Sequence, residues 1–151
     1  MLLSKEIDEI KSLLQHYDAT NEKISAVSVG WQLDHSLRVI NSVINVMKKS
    51  DPSEYTGGWN SRRFYIFLRG SIPRGAGKAP KQVVSKTSIR PATIEQQILI
   101  AEDFIKEFET LPAKVFFKHP YFGNLHKKRA AKFLGIHTRH HLMIARDILK
   151  G

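Results

Sequence analysis

Two histidines one helical turn apart near the C-terminus are the residues of this sequence best suited to chemistry. His137 and His141 occupy positions i and i+4 of the segment His137-Thr138-Arg139-His140-His141. That spacing puts both on one face of an α-helix, where two imidazoles can converge on one metal ion. Alternatively, each is a neutral, hydrogen-bonded core histidine, which is the more common role of a single buried histidine. The pair alone leaves both interpretations open.

A long amphipathic helix, predicted from about residue 127 to 149, must position the pair. His140 is also one turn from His137, but it lies about 60° from the centre of the apolar arc, which favours His141 as the second ligand. Three basic residues, Arg139, Arg146 and Lys150, point away from that arc. The arc has the three-four spacing of a bundle seam and consists of Ala130, Leu134, His137, His141, Ile144 and Ile148.

A third histidine, His35, is predicted on another helix, residues 29–49, with Ser28 as its N-cap. It lies at the border of that helix's apolar arc, one turn from Trp31, where a side chain can reach a cavity between helices. Three histidines with open positions left over are typical of a catalytic zinc site, since a structural site is usually closed by four protein ligands. The sequence contains no cysteine, which excludes thiolate ligands.

The remaining segments predict an all-α fold in one domain, residues 1–151. Residues 3–17 and 91–110 are amphipathic at helical period, and with the two helices above they make four long helices. We expect a short extra helix at 59–68, a long crossover loop from Gly70 to Arg90 and a compact aromatic turn within 113–125. The predicted architecture is an antiparallel four-helix bundle.

The net charge of +10 suits anionic partners, although a solvated basic exterior is the simpler interpretation. Residues 55–94 contain eight lysines and arginines and no acidic residue. No helix-turn-helix or zinc-finger spacing supports nucleic-acid binding, and aromatic residues such as Phe64 are expected in the core. No apolar run is long enough to span a membrane and no signal peptide is evident, so we expect a cytoplasmic protein.

Four features of the sequence occur together: Trp31-Gln32-Leu33-Asp34-His35, the crossover, His119-Pro120-Tyr121-Phe122-Gly123 and residues 137–141. Together they resemble the DinB/YfiT-like superfamily. More narrowly, the chain is similar to a bacterial branch of unknown function that carries an HP-x-FG turn before an H-x-x-H-H helix. The resemblance covers nearly the whole chain and implies a four-helix bundle. It also implies a divalent metal, zinc or nickel, held at the positions of His35, His137 and His141.

One departure from the pattern concerns the start of the last helix. His126 stands where a Ser or Thr cap is expected, and Lys127, Lys128 and Arg129 follow it, against the helix dipole. The preferred interpretation is that the fold tolerates this unfavourable charge at the helix end. The alternative is that the charge binds an anion.

The resemblance implies a metal-dependent hydrolase or a thiol-dependent transferase acting on a small anionic or thiol substrate. Basic residues of the central region, Arg62, Arg63, Arg69 and Lys78, are candidates for attracting such a substrate, but no sequence feature assigns them to the metal. Two alternatives remain: a non-enzymatic basic module that binds nucleic acid or another anion, and a scaffold that acts as a homodimer.

Overall fold

The structure, a computed structural model, describes residues 2–75 and 89–151. This part of the chain contains five α-helices, two short 3₁₀ turns, at 14–16 and 52–54, and one two-stranded sheet. The helices are α1 Ser4–Leu13, α2 Val29–Lys48, α3 Ser61–Arg69, α4 Pro91–Thr110 and α5 Lys127–Lys150. The strands are β1 Phe116–His119 and β2 Gly123–His126.

Helix α2 is the centre of the packing, since it lies against both α4 and α5, and α1 packs against α5. An ion pair between Lys11 and Glu102, 2.6 Å long, joins α1 to α4. The buried apolar residues other than Ile136 form one cluster that takes side chains from all four of these helices. The apolar arcs predicted for α2, α4 and α5 face this cluster, and the predicted helical segments are confirmed to within a few residues.

The start of α2 is fixed by two local features. Ser28 Oγ accepts a hydrogen bond from the Trp31 amide at 3.3 Å, which confirms the predicted N-cap. Gly30 donates its amide to Tyr17 O at 2.7 Å, and a Cβ at residue 30 would lie only 2.7 Å from the same oxygen. Only glycine allows this approach, which sets the position of the first turns of α2, the turns that carry Trp31 and His35.

The expectation of an all-α fold is wrong, because β1 and β2 form an antiparallel hairpin where a compact turn was predicted. The register pairs Phe117 with Leu125 and His119 with Gly123. Phe117 and its partner Leu125 are buried, whereas Lys118, the next residue on β1, is exposed. The change from buried to exposed between neighbouring residues is typical of a half-buried strand. The predicted aromatic turn is the connection of this hairpin, and it leads directly into α5.

Residues 70–75 and 89–90 of the predicted crossover are not helical, whereas 76–88 lie outside the described residues. None of the helices that the structure describes is long and apolar enough to cross a membrane.

Candidate metal-binding site

His35, His137 and His141 meet between α2 and α5. Each offers one ring nitrogen, and these three atoms all lie within 4.8 Å of one another. The His141 ring centroid is 4.6 Å from that of His35 and 4.6 Å from that of His137, and the other pair is 5.2 Å apart. The three residues predicted as ligands are therefore brought together, close enough to hold one metal ion.

Trp31 covers one side of the cluster. Its ring stacks on His35 with a centroid distance of 4.8 Å and an interplanar angle of 10°. The two residues are one turn apart on α2, so the stack is a direct consequence of helical spacing. His35 is buried, and the indole restricts both its ring orientation and its contact with water.

Gln32 fixes the protonation pattern of His141. Its Oε1 lies 2.6 Å from His141 Nδ1, and its Nε2 donates to Ser25 Oγ at 3.2 Å. With the Gln32 amide in this orientation its oxygen can only accept, which places the His141 proton on Nδ1 and the lone pair on Nε2. Metal-binding histidines commonly have such an acceptor on the second nitrogen, since it orients the ring and makes the ligand nitrogen more basic.

His137 contains a buried nitrogen without a hydrogen bond. Its side chain is partly exposed, but Nδ1 is inaccessible to solvent and has no partner among the described residues. A buried polar atom left unpaired costs roughly 1–3 kcal/mol, so its presence in a folded protein calls for an explanation. A bound cation is one group that would satisfy the imidazole.

The electrostatic environment keeps the imidazoles of His137 and His141 neutral. Burial, with the neighbouring His35 and His140, lowers the pKa of His141 to about 3. Burial and then the nearby His141 and His35 hold the pKa of His137 well below its usual range. At neutral pH both rings are unprotonated, which is the form that binds a metal.

The donor set fits a divalent transition metal. It consists of three imidazole nitrogens, with neither a carboxylate nor a thiolate in the described cluster. Imidazole ligands suit zinc, nickel, copper and iron, whereas calcium and magnesium require oxygen ligands. The neutral state of the His137 and His141 rings agrees with this assignment.

His140 lies beside the cluster, with its ring 5.2 Å from that of His141. Burial and then the positive charge of Arg74 lower its pKa, while a hydrogen bond to the Ile72 backbone opposes this shift. Its contacts therefore tie α5 to the segment after α3. The close group of ligand nitrogens in the described residues contains His141 and not His140.

Asp34 makes its ion pair away from the histidines. The buried carboxylate accepts from Arg38 Nε at 2.7 Å, one turn along α2. This agrees with the expectation that neighbouring positions on a helix point in different directions.

The basic residues suggested for substrate attraction are not part of the cluster. Arg63 and Arg69 hydrogen-bond to groups elsewhere, to carbonyls of Gly58 and Phe122 and to Ser71 and Tyr65, respectively. Arg62 is exposed on α3, and Lys78 lies outside the described residues.

Sequence reasoning missed the role of Gln32. The available signal was a polar residue one turn before His35, close to a predominantly apolar helix face. That signal does not identify the hydrogen-bond partner, which comes from α5 and is distant in sequence.

No protein-family model, curated protein or solved structure matches this chain.

Proposed function

We propose that this chain is a DinB-like protein that binds one divalent metal ion, zinc or nickel, through His35, His137 and His141. The observation that carries the proposal is the convergence of three ring nitrogens from two helices within 4.8 Å of one another. In this proposal α1, α2, α4 and α5 are the four helices of an antiparallel bundle. Their mutual packing and the ion pair between α1 and α4 support that architecture.

We assign the site to a metal-dependent hydrolase or a thiol-dependent transferase. A divalent ion supplies Lewis acidity, the property that activates water for hydrolysis or a thiol for transfer. Three protein ligands are typical of catalytic zinc sites, which favours an enzyme over a purely structural role. The chain's own contribution is to hold His141 in one tautomer through Gln32 and to shield His35 with Trp31.

A place for a substrate lies beside Trp31. This indole, stacked on His35, also lines a surface pocket of about 360 Å³ together with Tyr17, Val27 and Ile89. The pocket is lined by both apolar and polar groups, and Asp18 is its only charged residue among those described. In this proposal the apolar part of a small substrate lies in the pocket, while its reacting group extends past the edge of the indole to the ion.

Metal content of protein purified without a histidine tag tests the proposal. After dialysis against zinc or nickel, elemental analysis should find about one equivalent in the wild type. His35→Ala and His137→Ala should each lose it, because two imidazoles bind such an ion far more weakly than three.

His16→Ala is the matched control. His16 is exposed in the 3₁₀ turn after α1, so its removal changes the histidine count without touching the cluster. Metal retained in His137→Ala at the wild-type level would refute the assignment. Equal loss in His16→Ala would show surface binding only.

A further inference from the structure

A second pocket of about 620 Å³ lies at α3 and the first turns of α5, and none of the three clustered histidines lines it. Its walls come from the segment 55–60, from α3, and from Arg129 and Lys132 of α5. Pockets of roughly 300–1,000 Å³ are the size that holds a small organic ligand.

Three cations line this pocket and have no carboxylate partner. Arg63, Arg129 and Lys132 form no ion pair within residues 2–75 and 89–151. Residues 55–94 contain no acid, and Asp147, the one acid in 110–151, pairs with Arg74. The positive charge is therefore not neutralised by described side chains.

Arg63 is only 6% exposed, so its charge is buried without a carboxylate partner and destabilises the folded protein. Its guanidinium donates to the carbonyl oxygens of Phe122, at 2.8 Å, and Gly58. Burial and then the charge of Arg129 lower the pKa of Arg63. A buried charge is stable when it is paired, and here Arg129, which acts on the pKa of Arg63, has the same sign.

Lys127, another basic residue near this pocket, differs from Arg129 because backbone carbonyls accept hydrogen bonds from its ammonium group. Its ammonium donates to the carbonyls of Glu109 at 2.8 Å and Leu111 at 2.6 Å, so it caps the C-terminal end of α4. Within the part of the chain that the structure describes, Arg129 makes no comparable contact, so its charge is available to the pocket.

The pocket also exposes large apolar side chains. Trp59 is 77% exposed, Phe64 54% and Leu68 75%, and the Trp59 and Phe64 rings lie 5.1 Å apart. The expectation that Phe64 belongs to the core is therefore wrong. Exposed aromatic rings beside unpaired cations form a surface on which a flat anionic molecule can stack and pair.

We infer that this pocket binds a small organic anion, a molecule that joins a flat ring system to a phosphate or carboxylate group. The anion pairs with Arg129 and Lys132 and offsets the charge of Arg63, while the rings stack against Trp59 and Phe64. A concave pocket with a buried cation favours a small molecule over a nucleic-acid strand, which needs a groove that follows its backbone.

Calorimetric titration with 1-naphthylphosphonate tests this inference, because its carbon–phosphorus bond resists hydrolysis by the proposed enzyme. We expect one molecule bound per chain. Arg129→Gln should weaken binding roughly tenfold or more, the usual effect of losing a charge-assisted hydrogen bond. Lys128→Gln is the matched control, since it removes the same charge from the adjacent, exposed residue outside the pocket.

Four further probes define the kind of ligand. The inference requires 1-naphthol and inorganic phosphate each to bind at least about tenfold more weakly than whichever naphthyl anion, the phosphonate or 1-naphthoate, binds more tightly. 1-Naphthoate in place of the phosphonate distinguishes a carboxylate ligand from a phosphorylated one, and tight binding of either supports the inference. A single-stranded oligonucleotide that binds more tightly than both and displaces the phosphonate would overturn it in favour of a strand interface.

Equal weakening by Arg129→Gln and Lys128→Gln would also overturn the inference, because only net charge would then be involved. The His137→Ala variant keeps the outcome separate from the metal proposal. It should bind the phosphonate like the wild type whether or not the wild type contains metal.

Discussion

Gln32 determines which nitrogen of His141 is available to a metal. Replacing it with leucine removes the only acceptor bonded to His141 Nδ1 in the described structure and lets the ring change tautomer. We expect Gln32→Leu to bind zinc roughly 10- to 100-fold more weakly than the wild type while still taking up one equivalent. Competition against a fluorescent zinc chelator measures this affinity.

Gln32→Glu is the matched variant, because a carboxylate accepts from Nδ1 at least as well as an amide. Its zinc affinity should equal or exceed that of the wild type. A purely packing role for Gln32 predicts similar losses in both variants, and that result would contradict the assignment.

His119 has a structural function that its place in the hairpin explains. Its Nδ1 accepts the amides of Tyr121 at 3.1 Å and Phe122 at 3.2 Å, and its ring stacks on Phe122 at 4.3 Å. Burial lowers its pKa from 6.5 to about 4. The HP-x-FG motif can thus be read as a histidine that closes a turn, and the structure assigns it no chemical task.

This lowered pKa predicts a pH-dependent loss of stability. Between pH 6.5 and about 4 the unfolded chain binds a proton at His119 that the folded chain does not, so stability falls as pH falls through this window. Protonation of His119 accounts for at most about 3 kcal/mol of this loss in the free energy of unfolding. In His119→Asn the side-chain oxygen can accept hydrogen bonds from the same two amides but does not titrate. This part of the pH-dependent loss of stability should therefore be absent in the variant.

Urea denaturation from pH 7 to 4 in the presence of a chelator measures the effect. The free energy of unfolding of wild type should decrease more steeply than that of His119→Asn, whereas His16→Asn, at an exposed position, should follow the wild type. Parallel curves for wild type and His119→Asn would refute the role of His119.

Among single residues, the sequence could predict the three clustered histidines because helical spacing puts two of them on one face. The third could be placed only at the border of an apolar arc, since the packing of α2 against α5 is a tertiary property. Gln32 and the unpaired nitrogen of His137 depend on contacts between these helices, which no local pattern encodes.

At the scale of elements, the long helices were predictable because fifteen or more residues repeat the helical period several times. The hairpin was not, since each of its strands has four residues and Phe116-Phe117 obscures the alternation. Its register depends on burial of Phe117 and Leu125 under the helices, which again is a tertiary effect.

The turn of the hairpin provides a test of conformational strain. Gly123 has φ of +69°, and a Cβ there would meet nothing within 4 Å. Gly123→Ala therefore introduces no clash, and the left-handed backbone alone should lower the free energy of unfolding by about 1 kcal/mol. Chemical denaturation measures this difference.

Gly58→Ala is the control, because a Cβ at Gly58 also meets nothing within 4 Å, while its φ is outside the left-handed region. It should leave stability unchanged or slightly higher, since alanine restricts the unfolded chain. If both substitutions had the same effect, the strain at Gly123 would not be the cause.

For the whole molecule, the proposed metal site would link metal binding to folding stability through the same histidines. A ligand that binds only the folded chain stabilises it, by about 2.7 kcal/mol at a hundredfold excess over its Kd. In the metal-free chain the buried, unpaired Nδ1 of His137 reduces stability. The proposal therefore implies that a polar group retained for metal binding lowers the stability of the metal-free protein.

His137→Leu separates stabilisation by bound metal from destabilisation by the unpaired nitrogen, because leucine fills a similar volume without a polar atom. The metal-free variant should be more stable than metal-free wild type by about 1 kcal/mol, through removal of an unpaired buried nitrogen. Excess zinc should raise the melting temperature of the wild type and leave that of the variant unchanged. Thermal denaturation with a chelator and with zinc measures both differences, and His16→Leu should keep the full zinc response.

A metal-free His137→Leu variant that is less stable than the metal-free wild type would instead identify His137 as a residue that the core requires. A wild-type zinc response in this variant would exclude His137 as a ligand.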